Sequence, residues 1–227
     1  MANISNYFGE KNTDTVDNDI VYKLYLNVKN DCIALIEKGY ENYLSDREVK
    51  FSEDETIITA GLYKHIDLII CDSDLPFEVT PERPQYTKAI KNGLVNPKKA
   101  KRFDLLFVHF HSKPRFKIGI EAKLLAETDT STKRASYLIN EYVHNKGMGK
   151  FINRLYEEDG FMLGYILNGF EQNIITKINI KITKTYSIER RIKNCGRHYA
   201  SSYVFDGNPK ELVHIFLNFT GCFKGQA

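Results

Sequence analysis

Asp104 heads the apolar run FDLLFVHF, and Glu121 and Lys123 interrupt a second apolar run, IGIEAKLL. Side chains two apart on a strand point the same way, so Glu121 and Lys123 share a face while Ile120 and Ala122 face opposite. Between the runs lies HSKPR, which has turn chemistry, and together they read as a β-hairpin. A turn centred between Ser112 and Lys113 pairs position 104 with position 121, with Cα atoms roughly 4.5–5.5 Å apart. Two carboxylates that close repel unless something neutralises them. A hard divalent cation does so naturally, since Mg²⁺ takes oxygen ligands and keeps several waters. The carbonyl of Ala122 is a third candidate ligand, and Lys123 beside the ion is placed to hold a water or a phosphate oxygen. The alternative is a surface salt-bridge ladder on a half-exposed strand. Apolar neighbours on both sides of the motif argue against it.

The elements that position these residues can be read outward from the hairpin. Residues 1–17 form a loose polar leader. From Asp19 to Leu44, Ile20, Leu24, Val28, Cys32, Leu35, Ile36 and Tyr43 recur at helical intervals, with Gly39 as a break into two pieces. In SEDETIITAGL, Ser52 suits an N-cap with Glu55 at capping-box spacing, which predicts a helix over 53–71. Glu55, Thr59, Leu62 and Ile66 share one face of it. Residues 72–100, with Pro76, Pro81, Pro84 and Pro97, read as a long irregular stretch of functional character. After the hairpin, TKRASYLINEYVHNKGMGKFINRLY is helical with a break near Gly147 and Gly149, and GFMLGYILNG is a short buried strand closed by Asn-Gly. IITKINIKITKTYSI fits a strand or an amphipathic helix, HYASSYVF a strand, and KELVHIFLNF a helix or a strand. The fold class is therefore α/β, a mixed central sheet flanked by helices. The division expected is an N-terminal helical segment over 1–45 and one larger domain over 46–227.

The chain has 227 residues with 42% hydrophobic content, enough for a core of that size. Net charge is only +3, but the basic residues are grouped: Lys98, Lys99, Lys101 and Arg102; Lys113, Arg115 and Lys117; Arg190, Arg191, Lys193 and Arg197. Three such groups around one acidic constellation favour a phosphate-rich ligand. Cys32, Cys71, Cys195 and Cys222 are scattered without a CxxC pair, which excludes zinc-ribbon and redox motifs. No GxSxG surrounds Ser201 or Ser202, and GMGK at 147–150 lacks P-loop spacing. His109 and His111 share a strand face near the turn and read as structural. The N-terminus lacks an apolar signal segment and no apolar stretch is long enough to span a bilayer, so the expectation is a cytoplasmic protein without membrane contact.

Asp104, followed by Glu121-Ala122-Lys123 at the end of a β-hairpin, resembles the PD-(D/E)XK, or restriction-endonuclease-like, nuclease superfamily. Phe103 stands where the family name implies proline. The resemblance covers roughly residues 50–220 and implies a restriction-endonuclease-like core. It further implies that Asp104 and Glu121 bind Mg²⁺ (or Mn²⁺), with the Ala122 carbonyl beside them, and that Lys123 positions or activates the attacking water. Glu55, or less aptly Glu53, matches the helix acid that completes the site, and Lys150 the basic residue that reaches the phosphate. Lys99, Arg102, Arg190 and Arg191 become candidates for nucleic-acid contact. The expected function is Mg²⁺-dependent hydrolysis of DNA phosphodiester bonds, by analogy in a bacterial restriction or anti-phage defence setting, as a homodimer or with a partner subunit. The alternatives are a catalytically silent nucleic-acid-binding or assembly subunit of the same fold and an RNA-directed nuclease.

Overall fold

A computed structural model of the chain describes residues 18–46, 53–82, 92, 96, 100, 102–110, 115–153, 156, 159–205 and 207–222. The first element, α1 (Asn18–Ser45), is one continuous helix. Gly39 does not break it: a Cβ there would stand 2.4 Å from the Ile66 side chain, so the missing side chain is what lets α1 lie against α2 (Glu55–Asp72). Val28, Cys32, Leu35, Ile36 and Tyr43 of α1 and Ile58, Leu62, Ile66 and Ile70 of α2 are buried together, as their helical spacing requires.

The sheet is mixed and seven-stranded among the described residues, in the order β1-β2-β3-β4-β7-β6-β5. The strands are β1 (Phe77–Pro81), β2 (Leu105–His109), β3 (Phe116–Ala126), β4 (Asp159–Asn168), β5 (Lys193–Asn194), β6 (Tyr199–Phe205) and β7 (Asn208–Asn218). β1, β2 and β3 form an antiparallel meander. β4 then lies parallel to β3, and β7 parallel to β4. The parallel step needs a crossover, and α3 (Ala135–Val143) with the short α4 (Gly149–Ile152) supplies it. α5 (Glu171–Thr185) follows β4. One apolar cluster joins α1 and α2 to Ile118, Ile120, Ala122 and Leu124 on one face of β3. Another joins Ile139, Tyr142 and Val143 of α3, Phe151 of α4 and Ile174, Ile178 and Ile182 of α5 to the opposite face.

The structure corrects or decides several expectations. The stretch 72–100 is not wholly irregular, because β1 lies inside it as an edge strand carrying Pro81; an edge is where a sheet tolerates proline. The segment left open between strand and helix after β4 is the helix α5, and all of KELVHIFLNF but its last residue, Phe219, lies in the strand β7. α1 is packed into the same apolar cluster as the sheet. No described helix is long and apolar enough to cross a membrane. The hairpin turn at 111–114, with His111 and Lys113, and the basic residues Lys98, Lys99 and Lys101 lie outside the described residues.

Candidate active site

The register of the hairpin places the first acid. Leu105 pairs with Ile120 and His109 with Phe116, so the alignment sets position 104 against 121, and the Asp104 N–H donates to the Ile120 carbonyl at 2.9 Å. β2 begins there, and from Glu121 onward no described strand flanks β3 on that side. The Asp104 carboxylate takes over the exposed backbone, its Oδ2 accepting from the Ala122 N–H at 2.6 Å.

The second acid comes from α2. Asp54, not Ser52, is the N-cap: its side chain accepts from the N–H groups of Thr56 and Ile57. Ser52 lies outside the described residues. Glu55 is thereby free of capping duty. The Thr59 hydroxyl bonds the Glu55 carbonyl at 2.8 Å and meets the Tyr165 hydroxyl of β4 at 3.0 Å, which anchors the first turn of α2 to the sheet. Glu53 bonds Thr132 instead, so the helix acid facing the hairpin is Glu55.

Glu55, Asp104 and Glu121 converge on one cation, the Lys123 ammonium. Its Nζ lies 2.7 Å from Glu55 Oε1, 3.1 Å from Glu121 Oε1 and 3.8 Å from Asp104 Oδ2, and it also donates to the Ala122 carbonyl. Lys150, from α4, adds a second ammonium 2.5 Å from Glu121 Oε1. Tyr156 donates to Glu121 Oε2 at 2.8 Å and lies 2.6 Å from the Arg102 carbonyl. Glu121 is 1% exposed and Lys123 7%, which rules out a solvated salt-bridge ladder.

Burial sets the electrostatics. It raises the Glu55 carboxyl above its ordinary range against the pull of Lys123. It also raises Glu121, with the nearby charge of Asp104 adding to the effect. For Lys123 burial works the other way, but Glu121, Asp104 and Glu55 outweigh it and raise the ammonium above its usual value. The Tyr156 phenol is raised by burial and by Glu121, and so stays a donor.

The other candidates are distributed differently. The Arg102 side chain is exposed, 3.7 Å from Glu82. Arg191 bonds Thr183, and the Arg190 guanidinium lies over the Tyr186 ring; neither joins the acidic group. His109 packs edge-on against Phe77. A groove of about 360 Å³ lined by Glu37, Tyr40, Arg197, His198 and Tyr199 is separate, and none of the acidic group lines it.

Two features escaped the sequence reading. Tyr156 is one; held between Phe103 and Phe151, it gives no local sign that its hydroxyl meets Glu121. The other is His214, fully buried, with Nδ1 2.8 Å from the Tyr142 hydroxyl and Nε2 2.7 Å from Ser201 Oγ. The Ser–His pair has hydrolase-like geometry, but both residues are sealed in the core, away from any substrate carbonyl.

The donors around Lys123 suit a hard divalent cation in kind: carboxylate oxygens and a main-chain carbonyl. As they stand they are gathered on the ammonium, and among the described residues no group of three or more His, Cys, Asp or Glu is spaced to hold a metal ion. Comparison with family models, with curated proteins and with solved structures returned no match, so the geometry of this site is the ground on which function is argued.

Proposed function

We propose that the chain is a metal-dependent nuclease of the PD-(D/E)XK kind that hydrolyses DNA phosphodiester bonds. One observation carries the reading: Glu55 from a helix distant in sequence, Asp104 at the start of the hairpin and Glu121 on β3 meet within 3.8 Å of the buried Lys123 ammonium. Burying Glu121 and Lys123 and gathering two half-buried carboxylates on them is costly, which favours a use for the cluster. The order of elements also agrees with the resemblance: an acid-bearing helix, the hairpin with Asp104 and Glu121-Ala122-Lys123, then a helical crossover bringing Lys150.

Asp104, Glu121 and the Ala122 carbonyl would hold Mg²⁺ or Mn²⁺, and such an ion supplies an activated water and charge stabilisation at phosphorus. The protein's own contribution rests on Lys123 and Glu55. Every contact of Lys123 is with an acceptor, so in this arrangement it acts as a donor that orients a water or a phosphate oxygen. Glu55 fixes the direction of that ammonium from the opposite side. By analogy the setting is bacterial restriction or anti-phage defence, with a homodimer or a partner subunit completing the DNA-binding surface to which Arg102, Arg190 and Arg191 belong.

A second reading has one observation behind it. The carboxylates already face two ammoniums, as in a catalytically silent nucleic-acid-binding subunit of the same fold. Incubation with supercoiled, linear and single-stranded DNA and with RNA, with and without Mg²⁺, separates these readings. The nuclease reading expects metal-dependent DNA cleavage, falling at least about a hundredfold in Asp104→Ala and in Glu121→Ala. Cleavage equal in Asp104→Ala and parent would defeat it. Binding without cleavage would favour the silent subunit, and cleavage of RNA alone the RNA-directed enzyme.

A further inference from the structure

Glu121 is shared by two cations that are held very differently. Lys123 is bound on several sides, by Glu55, Glu121, Asp104 and the Ala122 carbonyl, with its side chain 8% exposed. Lys150 is 19% exposed at the side chain, and Glu121 is its one carboxylate partner among the described residues. Its remaining support is the face of Tyr156, 5.5 Å from Nζ to ring centroid. It rides on α4, a four-residue helix entered by the turn at 144–148, whereas Lys123 sits in the middle of the central strand β3.

Tyr156 explains why Glu121 would keep its place if Lys150 left. The phenol holds Oε2 at 2.8 Å, while Oε1 is shared by Lys150 at 2.5 Å and the buried Lys123 at 3.1 Å, so Tyr156 and Lys123 fix the carboxylate and only the Lys150 contact is exchangeable. With three carboxylates facing two ammoniums, the cluster carries one negative charge in excess. Replacing a single ammonium by a divalent ion would remove that excess, which gives the exchange an electrostatic gain.

Resting on the nuclease reading, we propose that Lys150 is a displaceable placeholder: it and a divalent cation compete for Glu121 Oε1, and binding of the ion frees the Lys150 ammonium for a phosphate. A residue that merely stabilised the site would, when removed, weaken ion binding or leave it unchanged. A competitor, when removed, strengthens it.

The test is titration calorimetry of the full chain with Mn²⁺ alone, in the absence of nucleic acid, on the parent, Lys150→Met and Lys150→Gln. Thermal melts check that each variant folds, and the two variants guard against loss of one. The expected result is Mn²⁺ binding about three- to tenfold tighter in both variants than in the parent. Binding by the variants alone would support the proposal equally. Parent binding with equal or weaker affinity in the variants overturns it and leaves the nuclease reading standing. Absence of binding in parent and variants alike overturns both.

Discussion

Around the buried Glu121 and Lys123 of β3, two half-buried carboxylates and a second ammonium gather; on β7, His214 is buried with two hydroxyls. Both groups sit on the same sheet, yet their balance differs. His214 is neutral, both ring nitrogens have partners and its protonation is driven down to about 3, first by burial and then by His198. Nothing there is left to bind anything else. Around Lys123 the charges are numerous, the acids outnumber the ammoniums, and Glu55 and Glu121 are raised by the burial they endure. A polar group kept for packing is satisfied and closed. A group kept for chemistry retains unbalanced charge at a position where a ligand can restore the balance.

The comparison can be broken by substitutions on each side. The largest effect is expected from Lys123→Met, which strands three carboxylates. We expect about 3–5 kcal/mol of destabilisation at pH 7 by urea unfolding. The loss should shrink on going to pH 5, because Lys123 holds Glu55 and Glu121 down and its removal raises both carboxyls further in the folded variant, so acid favours the variant's fold more than the parent's. A loss independent of pH would mean that the carboxylates are not the cause.

His214→Phe comes next. It leaves the Tyr142 and Ser201 hydroxyls without their partner and should cost about 2–4 kcal/mol. On the proposed nuclease function, DNA cleavage at a temperature where the variant is folded should stay within about twofold of the parent. A hundredfold loss of cleavage would show that the two clusters act as one.

The parent itself offers a finer distinction. The folded-state pKa of His214 lies below the unfolded value, so its contribution is present above about pH 6.5 and is lost as pH falls toward about 3. We expect about 1.4 kcal/mol of lost stability per pH unit over that window from this residue, absent in His214→Phe. Lys123 is shifted the opposite way, and its contribution is lost only as pH rises above about 10. Denaturation curves over pH 4–11 resolve both limbs, the acid one as parent minus His214→Phe and the alkaline one as parent minus Lys123→Met.

The smallest effect belongs to Tyr156→Phe, which removes one donor from Glu121 and keeps the ring between Phe103 and Phe151. About 1 kcal/mol of stability should be lost. An unchanged stability would mean that neither contact of the hydroxyl, to Glu121 or to the Arg102 carbonyl, contributes to the fold.

How much of this could be read from the sequence varies with the range of the interaction. The hairpin was legible because its period of two and its turn chemistry fix the pairing, so Asp104 opposite Glu121 follows from counting. Glu55 was legible as a helix acid because Thr59, Leu62 and Ile66 lie on its face and are buried, although the cap turned out to be Asp54. β7 was ambiguous for a physical reason: Leu212, Val213 and Ile215 are buried on both faces of the sheet, so the alternation that marks a strand is missing. β1 was hidden by Pro76 just before it and Pro81 at its end.

By itself, then, the sequence determined which groups stand on one strand or one helix turn, since those spacings follow from backbone geometry alone: Glu121 beside Lys123, Asp104 across from them, Glu55 on the apolar face of its helix. Only the tertiary structure decided which cation answers which acid. Lys150 and Tyr156 reach Glu121 across a crossover of 29 and 35 residues. Contacts at that range depend on how helices pack on the sheet, and no local periodicity encodes them.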